Sequence, residues 1–145
     1  MTIVKSSPHG KLNYNHVDRR EVIDRIVKRL KPLSDDFDAI VVCGASMMLI
    51  SSVVAYKMNK NLILVRKIND DNYSGYMVEG LHHQRYIFID DLISSGKTLK
   101  YVLGAVNKFM NGCECVYLGL YLTSLTCGGL SWVKQIIDVP VISLE

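Results

Sequence analysis

Tyr86-Ile87-Phe88-Ile89-Asp90-Asp91-Leu92-Ile93-Ser94-Ser95-Gly96-Lys97-Thr98 is the stretch that decides how this chain reads. A run of apolar residues ends in two adjacent acids. A cluster of hydroxyls and glycine then opens a helix predicted from the spacing of Leu99, Val102, Leu103, Val106 and Phe109. Adjacent carboxylates at the carboxyl end of a buried strand are costly through desolvation and mutual repulsion unless they meet hydroxyls, a metal or a cationic group. Ser94, Ser95, Gly96, Lys97 and Thr98 supply backbone N–H groups, hydroxyls and a cation at the positive end of a helix, a cradle sized for a phosphate monoester. The combination asks for a ligand carrying both a polyol and a phosphate.

Two simpler readings compete. Gly96-Lys97-Thr98 has the look of the end of a nucleotide-binding P-loop, but that motif needs a glycine five positions before Gly96, where Asp91 stands. The acid would repel a triphosphate. A plain helix N-cap explains one Ser or Thr. It does not explain the two acids in front of it.

Outward from this stretch the pattern alternates between strands and helices. Val22, Ile23, Ile26, Val27 and Leu30 recur at helical spacing, and Pro32 is expected to end that helix. Ala39-Ile40-Val41-Val42-Cys43 reads as a buried strand that Gly44-Ala45-Ser46 turns into a helix, with Met48, Leu49, Ser52, Val53 and Tyr56 expected on its apolar side. Leu62-Ile63-Leu64-Val65 is a second strand, followed by a polar excursion over residues 67–84 with a short hairpin expected around Tyr76-Met77-Val78. Further on, Asn111-Gly112 caps the Leu99–Phe109 pattern, residues 115–122 form a fourth strand, 130–137 a short helix and 139–144 a fifth strand. Apolar strands separated by helices imply an α/β fold, a single doubly wound domain over residues 1–145. Its mainly parallel five-stranded sheet has helices on both faces. Such sheets bind ligands beyond the carboxyl ends of their strands.

Composition narrows the function. Seventeen Lys/Arg against fourteen Asp/Glu leave a net charge of +3 on 145 residues, 49% of them hydrophobic, which excludes disorder. The early basic residues Arg19, Arg20, Arg25, Lys28, Arg29 and Lys31 alternate with Asp18, Glu21 and Asp24, the pattern of a solvated helix face rather than a nucleic-acid stripe. The uncharged stretches 39–56 and 115–133 are broken by glycines and hydroxyl residues, so no membrane association is expected. Cys43, Cys113, Cys115 and Cys127 show no zinc spacing, and the first residues have no secretory signal. A cytoplasmic location with reduced thiols follows as the expectation.

The segment from Ile87 to Thr98 resembles the phosphoribosyl pyrophosphate (PRPP) motif of the type I phosphoribosyltransferases: four apolar residues, two acids, a short spacer and a Ser/Thr-Gly-x-Thr phosphate loop. Cys43-Gly44-Ala45-Ser46 is similar to the family's pyrophosphate loop, Val65-Arg66-Lys67 to the end of its second strand, and residues 67–84 to its flexible catalytic loop over the site. The resemblance implies that Asp90 and Asp91 hold the ribose hydroxyls and help place Mg²⁺. It implies that Ser94, Ser95, Gly96, Lys97 and Thr98 hold the 5′-phosphate, and that Ala45, Ser46, Arg66 and Lys67 meet the pyrophosphate. Asp90, Asp91 and Lys67 would be the catalytic groups, with Leu92 and Ile93 near the acceptor base. The implied activity is transfer of the 5-phosphoribosyl group from PRPP to a nitrogen acceptor, a nucleobase in salvage, by a homodimer. Residues 1–16 would serve as a reduced hood.

The chain also departs from the family. Ser94 stands where the hypoxanthine/guanine branch has Asp, and a serine cannot act as that acid/base. Asp70 stands where orotate and many adenine enzymes carry a further lysine, and Asn72-Tyr73 where orotate enzymes carry His-Gly. These departures motivate a second reading, a non-catalytic PRPP- or nucleotide-binding regulator of the same fold. Tyr14, Tyr73 and Tyr76 are candidates to stack on a ring, His82-His83 to bind pyrophosphate or a metal, and Trp132 reads as core.

Overall fold

A computed structural model describes residues 18–70, 74–121 and 129–145. The expectations for residues 1–16, Asn72, Tyr73 and Cys127 lie outside the described residues. The first helix, α1 (Arg19–Leu30), starts on Asp18, whose carboxylate accepts the Arg20 N–H at 2.9 Å, and its basic face is exposed as the sequence predicts. Pro32 does not simply stop the chain. Residues Lys31–Asp36 tighten into a 3₁₀ helix with the proline in its first turn, where its missing N–H costs nothing.

The core strands follow in order: β1 (Ala39–Cys43), β2 (Asn61–Val65), β3 (Val78–Glu79), β4 (Arg85–Asp90), β5 (Glu114–Leu120) and β6 (Val141–Ser143). They form one sheet in spatial order β3-β2-β1-β4-β5-β6. The expected five parallel strands are present, but the sheet has six. β3 adds an antiparallel edge, pairing Leu64 with Glu79 and Val65 with Val78 at the place where a hairpin was expected. Gly80 permits that approach, since a Cβ there would sit 2.8 Å from the Leu62 carbonyl oxygen. The parallel strands reverse direction of growth between β1 and β4, and a crevice opens beyond their carboxyl ends at such a switch point.

Strand alternation sorts the core into two layers. Ile40, Val42, Ile87 and Ile89 face α1 and α2 (Ala45–Met58); Ala39, Val41, Cys43, Tyr86 and Phe88 face α3 (Lys97–Phe109) and α4 (Gly129–Val133). In α2 the expected apolar side is wrong at every position but Met48, which is partly buried against the core. Met47, Ile50, Ser51, Val54 and Ala55 are buried, whereas Leu49, Ser52, Val53 and Tyr56 are exposed. This helix is apolar nearly all round, so its sequence carries no phase, and packing on the sheet selects the face. Phe109, expected inside, is also exposed. After Val133 the chain turns through Gln135 N–H to Trp132 carbonyl (3.0 Å) and Ile136 N–H to Val133 carbonyl (2.9 Å), so the last helix is shorter than expected. β6 is likewise shorter, beginning after Pro140. Among the described residues no helix is long and apolar enough to cross a membrane.

The corrected face of α2 is testable. Ile50→Ala is expected to destabilise the fold by about 2–5 kcal/mol, and Leu49→Ala by less than about 0.5 kcal/mol, in urea unfolding.

Candidate functional site

The site is built at the carboxyl ends of β1, β2 and β4. β1 runs into Gly44, whose φ of +86° is open to glycine but strained for other residues. The Lys67 side chain lies close by: a Cβ at Gly44 would be 2.9 Å from its Cε and 3.4 Å from its Nζ, a contact the flexible lysine could relieve by shifting, so the backbone turn is what requires glycine. Lys67, just past β2, lays its side chain across the loop that starts α2. Ala45 is the first residue of that helix and is exposed; it does not line the cavity described next. The side chain of Ser46 lies outside the described residues.

β4 delivers the two acids. The Asp91 N–H donates to Asp90 Oδ1 at 2.8 Å, the Leu92 N–H to Asp91 Oδ1 at 2.7 Å, and the Tyr121 N–H to the Asp90 carbonyl at 3.2 Å. These bonds fix the turn but leave two carboxylates side by side, Asp91 with only 7% of its surface exposed. Burial holds the Asp90 carboxyl well above the usual carboxylate range; the neighbouring Asp91 adds to the effect and Lys67 opposes it. Cys43, on the same sheet face by strand parity, is pushed up to about 11, first by burial and then by Asp90, again with Lys67 opposing. The crevice is short of positive charge, which a hydroxyl-bearing ligand or a cation would relieve.

The Ser94–Thr98 loop closes the cavity. Gly96 takes a left-handed turn (φ +75°) as the N-cap of α3; Ser95 Oγ accepts the Lys97 N–H at 3.4 Å, and the Gly96 carbonyl accepts the Lys100 N–H at 3.0 Å. Asp90, Asp91, Ser94, Ser95, Gly96 and Thr98 line one cavity of about 360 Å³ together with Lys67, Cys43, Leu92, Ile93 and Leu99. Of the five residues assigned to the phosphate, Lys97 differs. It lines instead a second cavity of about 450 Å³, with Ile68, Asn69, Asp70 and Tyr101, that shares Cys43, Lys67 and Thr98 with the first. Lys67 thus stands between two lobes of one cleft.

Arg66 is the other residue the structure does not bring in. Its guanidinium pairs with Glu79 of β3 (Nη2 to Oε2, 2.9 Å), and Ser74 Oγ donates to the other Glu79 oxygen at 2.5 Å. Those hydrogen bonds, Ser74 first and then Arg66, hold the Glu79 carboxyl below its ordinary range. The Arg66 carbonyl accepts the Tyr101 hydroxyl at 2.7 Å, which ties the end of β2 to α3. His82 and His83 lie before β4, at the end of that strand opposite Asp90. The His82 ring nitrogen meets the Asn111 carbonyl at 2.6 Å, and the His83 carbonyl accepts the Cys113 thiol. They do not reach the cleft. Tyr76 is exposed and lines neither cavity. Cys43 and Tyr101 were missed as lining residues. The signals were the parity of Cys43 along β1 and the i, i+4 spacing from Lys97 to Tyr101.

No family model matches the sequence. The adenine phosphoribosyltransferase of Mycoplasma capricolum is 34% identical over 101 residues, a match covering 59% of this chain and 58% of that protein. The hypoxanthine/guanine phosphoribosyltransferase of Methanopyrus kandleri is 31% identical over 136 residues, covering 84% of this chain and 69% of the relative. This chain belongs to the type I phosphoribosyltransferases. The fold agrees with that family. The crystal structure of adenine phosphoribosyltransferase from Thermoanaerobacter pseudethanolicus superposes with a TM-score of 0.66 at 20% identity, over 99% of this chain and 88% of the other. The segment that resembles the family's PRPP motif is the loop joining β4 to α3.

The acid pair yields a pH prediction. A raised carboxyl binds its proton more tightly folded than unfolded (about 3.9 when unfolded), so stability falls as pH rises from there through the folded value. Asp90→Asn is therefore expected to raise the melting temperature of the ligand-free protein at pH 7, and the gain is expected to vanish near pH 3. A melting series over pH 3–8 checks both ends.

Proposed function

We propose that this chain transfers the 5-phosphoribosyl group from PRPP to a nitrogen of a nucleobase and releases pyrophosphate. The observation that carries this reading is the confrontation of the Asp90–Asp91 pair with the Ser94–Thr98 phosphate loop across one 360 Å³ cavity edged by Lys67. The polyol and the phosphate of one sugar phosphate answer both features. The names of the two relatives above, each a nucleobase phosphoribosyltransferase, support the substrate class.

In this reading Asp91 and Asp90 accept hydrogen bonds from the ribose hydroxyls, and their charge favours the positive character that develops at the anomeric carbon. Ser94, Ser95, Thr98 and the backbone of Gly96 and Lys97 hold the 5′-phosphate. Lys67, with Ala45 and Ser46 at the start of α2, meets the pyrophosphate; Arg66 joins them by exchanging Glu79 for the anion. The acceptor nitrogen bonds to the anomeric carbon as the bond to the pyrophosphate oxygen breaks; the bonding pair leaves with pyrophosphate, and the N–H proton lost by the base passes to pyrophosphate or to water. Leu92 and Ile93 are the residues assigned to the neighbourhood of the base.

The acid pair also fits Mg²⁺. Hard carboxylate oxygens in a site short of positive charge suit it, and among the described residues no cluster of three ligating side chains could hold a metal unaided. Mg²⁺ commonly takes one or two carboxylates and completes its shell with substrate oxygens and water. Asp90 and Asp91 would hold it, and when bound it would neutralise the charge of the pyrophosphate.

A second reading, a PRPP- or nucleotide-binding regulator, is favoured by Asp70 at the position of the family's loop lysine and by the commitment of Arg66 to Glu79. A homodimer remains part of the proposal, with the exposed α2 stripe Leu49, Val53 and Tyr56 as its contact. The free thiols Cys43, Cys113 and Cys115 suit a reducing cytoplasm.

A pyrophosphate-release screen across nucleobases separates the two readings: release with one base establishes the transferase, whereas PRPP binding without release establishes the regulator. Thr98→Ala is expected to weaken PRPP binding by about 1–3 kcal/mol while leaving the fold intact. A loss confined to thermal stability would make Thr98 a structural residue of the α3 start only. For the dimer, Val53→Glu is expected to halve the mass measured by light scattering; a monomeric parent chain would remove that part of the proposal.

A further inference from the structure

We propose that Trp132, together with Ile136, is a platform that sets the shape of the phosphate loop, making Trp132 a positioning residue for the 5′-phosphate. The inference rests on the phosphoribosyl reading of the loop and adds a residue that the PRPP motif does not contain. A Cβ on Gly96 would lie 2.6 Å from Ile136 Cδ1 and 2.7 Å from Trp132 Cη2. Nonbonded carbons settle at about 3.5–4.0 Å, so the indole and the isoleucine occupy the space that any side chain at position 96 would need. Gly96 is glycine for two independent reasons, its left-handed turn (φ +75°) and this contact.

The platform is itself anchored. Val133, next to Trp132, is fully buried, and its carbonyl accepts the N–H groups of Ile136 at 2.9 Å and Ile137 at 3.1 Å, which fixes the turn carrying Ile136. Trp132 and Ile136 pack into the same layer as Leu99 and Val102 of α3. The phosphate loop is therefore held between the start of its own helix and a segment more than thirty residues further along the chain.

This arrangement bears on binding through pre-organisation. Backbone N–H groups converge on an anion only when the loop holds one backbone shape. A loop that had to find that shape on binding would lose affinity to the ordering. A large side chain with two torsions supplies a rigid surface at low entropic cost. Trp132 reaches the ligand only through Gly96. Its effect is expected on affinity for the phosphate end and not for the pyrophosphate end, which lies toward Lys67 and α2.

The chain contains a single tryptophan, so its fluorescence reports this contact directly. The test titrates the full chain with ribose 5-phosphate and, separately, with inorganic pyrophosphate and Mg²⁺. It follows tryptophan emission and calorimetric affinity for the parent, and calorimetric affinity for Trp132→Phe, Trp132→Ala and Ile136→Ala. Ribose 5-phosphate is expected to shift the emission of the parent. Trp132→Ala and Ile136→Ala are expected to weaken ribose 5-phosphate by about fivefold or more, with Trp132→Phe restoring most of the loss and pyrophosphate affinity unchanged. Should Trp132→Ala fail to fold, the parent's emission and Ile136→Ala decide. An unmoved emission with parent-like ribose 5-phosphate affinity in Ile136→Ala would overturn the inference. Equal losses for both probes would overturn it too, by making the effect a general one. A parent chain that binds neither ribose 5-phosphate nor PRPP would overturn the phosphoribosyl reading first, and this role with it.

Discussion

Two carboxylates pressed together at the end of β4 are the constraint around which this structure is arranged. Asp90 and Asp91 are drawn out of water by the strand that carries them, and burial, with Asp91 beside it, raises the cost of charging Asp90. A fold selected for stability alone would place apolar or neutral residues there. The pair is tolerable because the crevice supplies partial relief in Lys67, and because backbone N–H groups of Asp91 and Leu92 accept part of the burden. The remaining deficit is one that ligand hydroxyls or a cation would relieve.

The fold makes that deficit useful by geometry. In the order β2-β1-β4-β5, chain growth turns outward in both directions from the β1–β4 boundary, so the loops after β1 and β4 open side by side. One of them starts α2 behind Gly44 and the other starts α3 behind Gly96; both glycines have positive φ and both are crowded by a side chain from elsewhere in the chain. Lys67 lies over the first and Trp132 over the second. The α3 start is thereby braced from outside its own segment, the α2 start is overlain by a flexible lysine side chain, and the acids lie in the space between them.

The sequence was most legible where chemistry is local. The acids, the spacer and the hydroxyl-glycine cluster sit within twelve consecutive residues, and the apolar runs of β1, β2 and β4 have no competing periodicity. What escaped was set by long-range packing. The buried side of α2 could not be read from a helix apolar on every side, and the expected stripe, Met48 apart, proved to be exposed. Arg66 carries no local mark of its bond to Glu79, thirteen residues away, because that pairing depends on the two-residue strand β3 folding back on β2. Lys97 sits inside the phosphate motif, yet it lines the neighbouring lobe with Tyr101, one helical turn on. Trp132 reads as an ordinary core residue until Gly96 is placed against it.

We propose that the crevice between Asp90, Asp91 and the Ser94–Thr98 loop, short of positive charge, is a PRPP site completed by Mg²⁺. Calorimetric titration of the full chain with PRPP, in the presence of Mg²⁺ and again with the metal chelated, tests it most directly. The account predicts saturable one-to-one binding that weakens when the metal is removed. Absence of saturable heat with PRPP under both conditions, from a chain whose circular dichroism shows it folded, would contradict it.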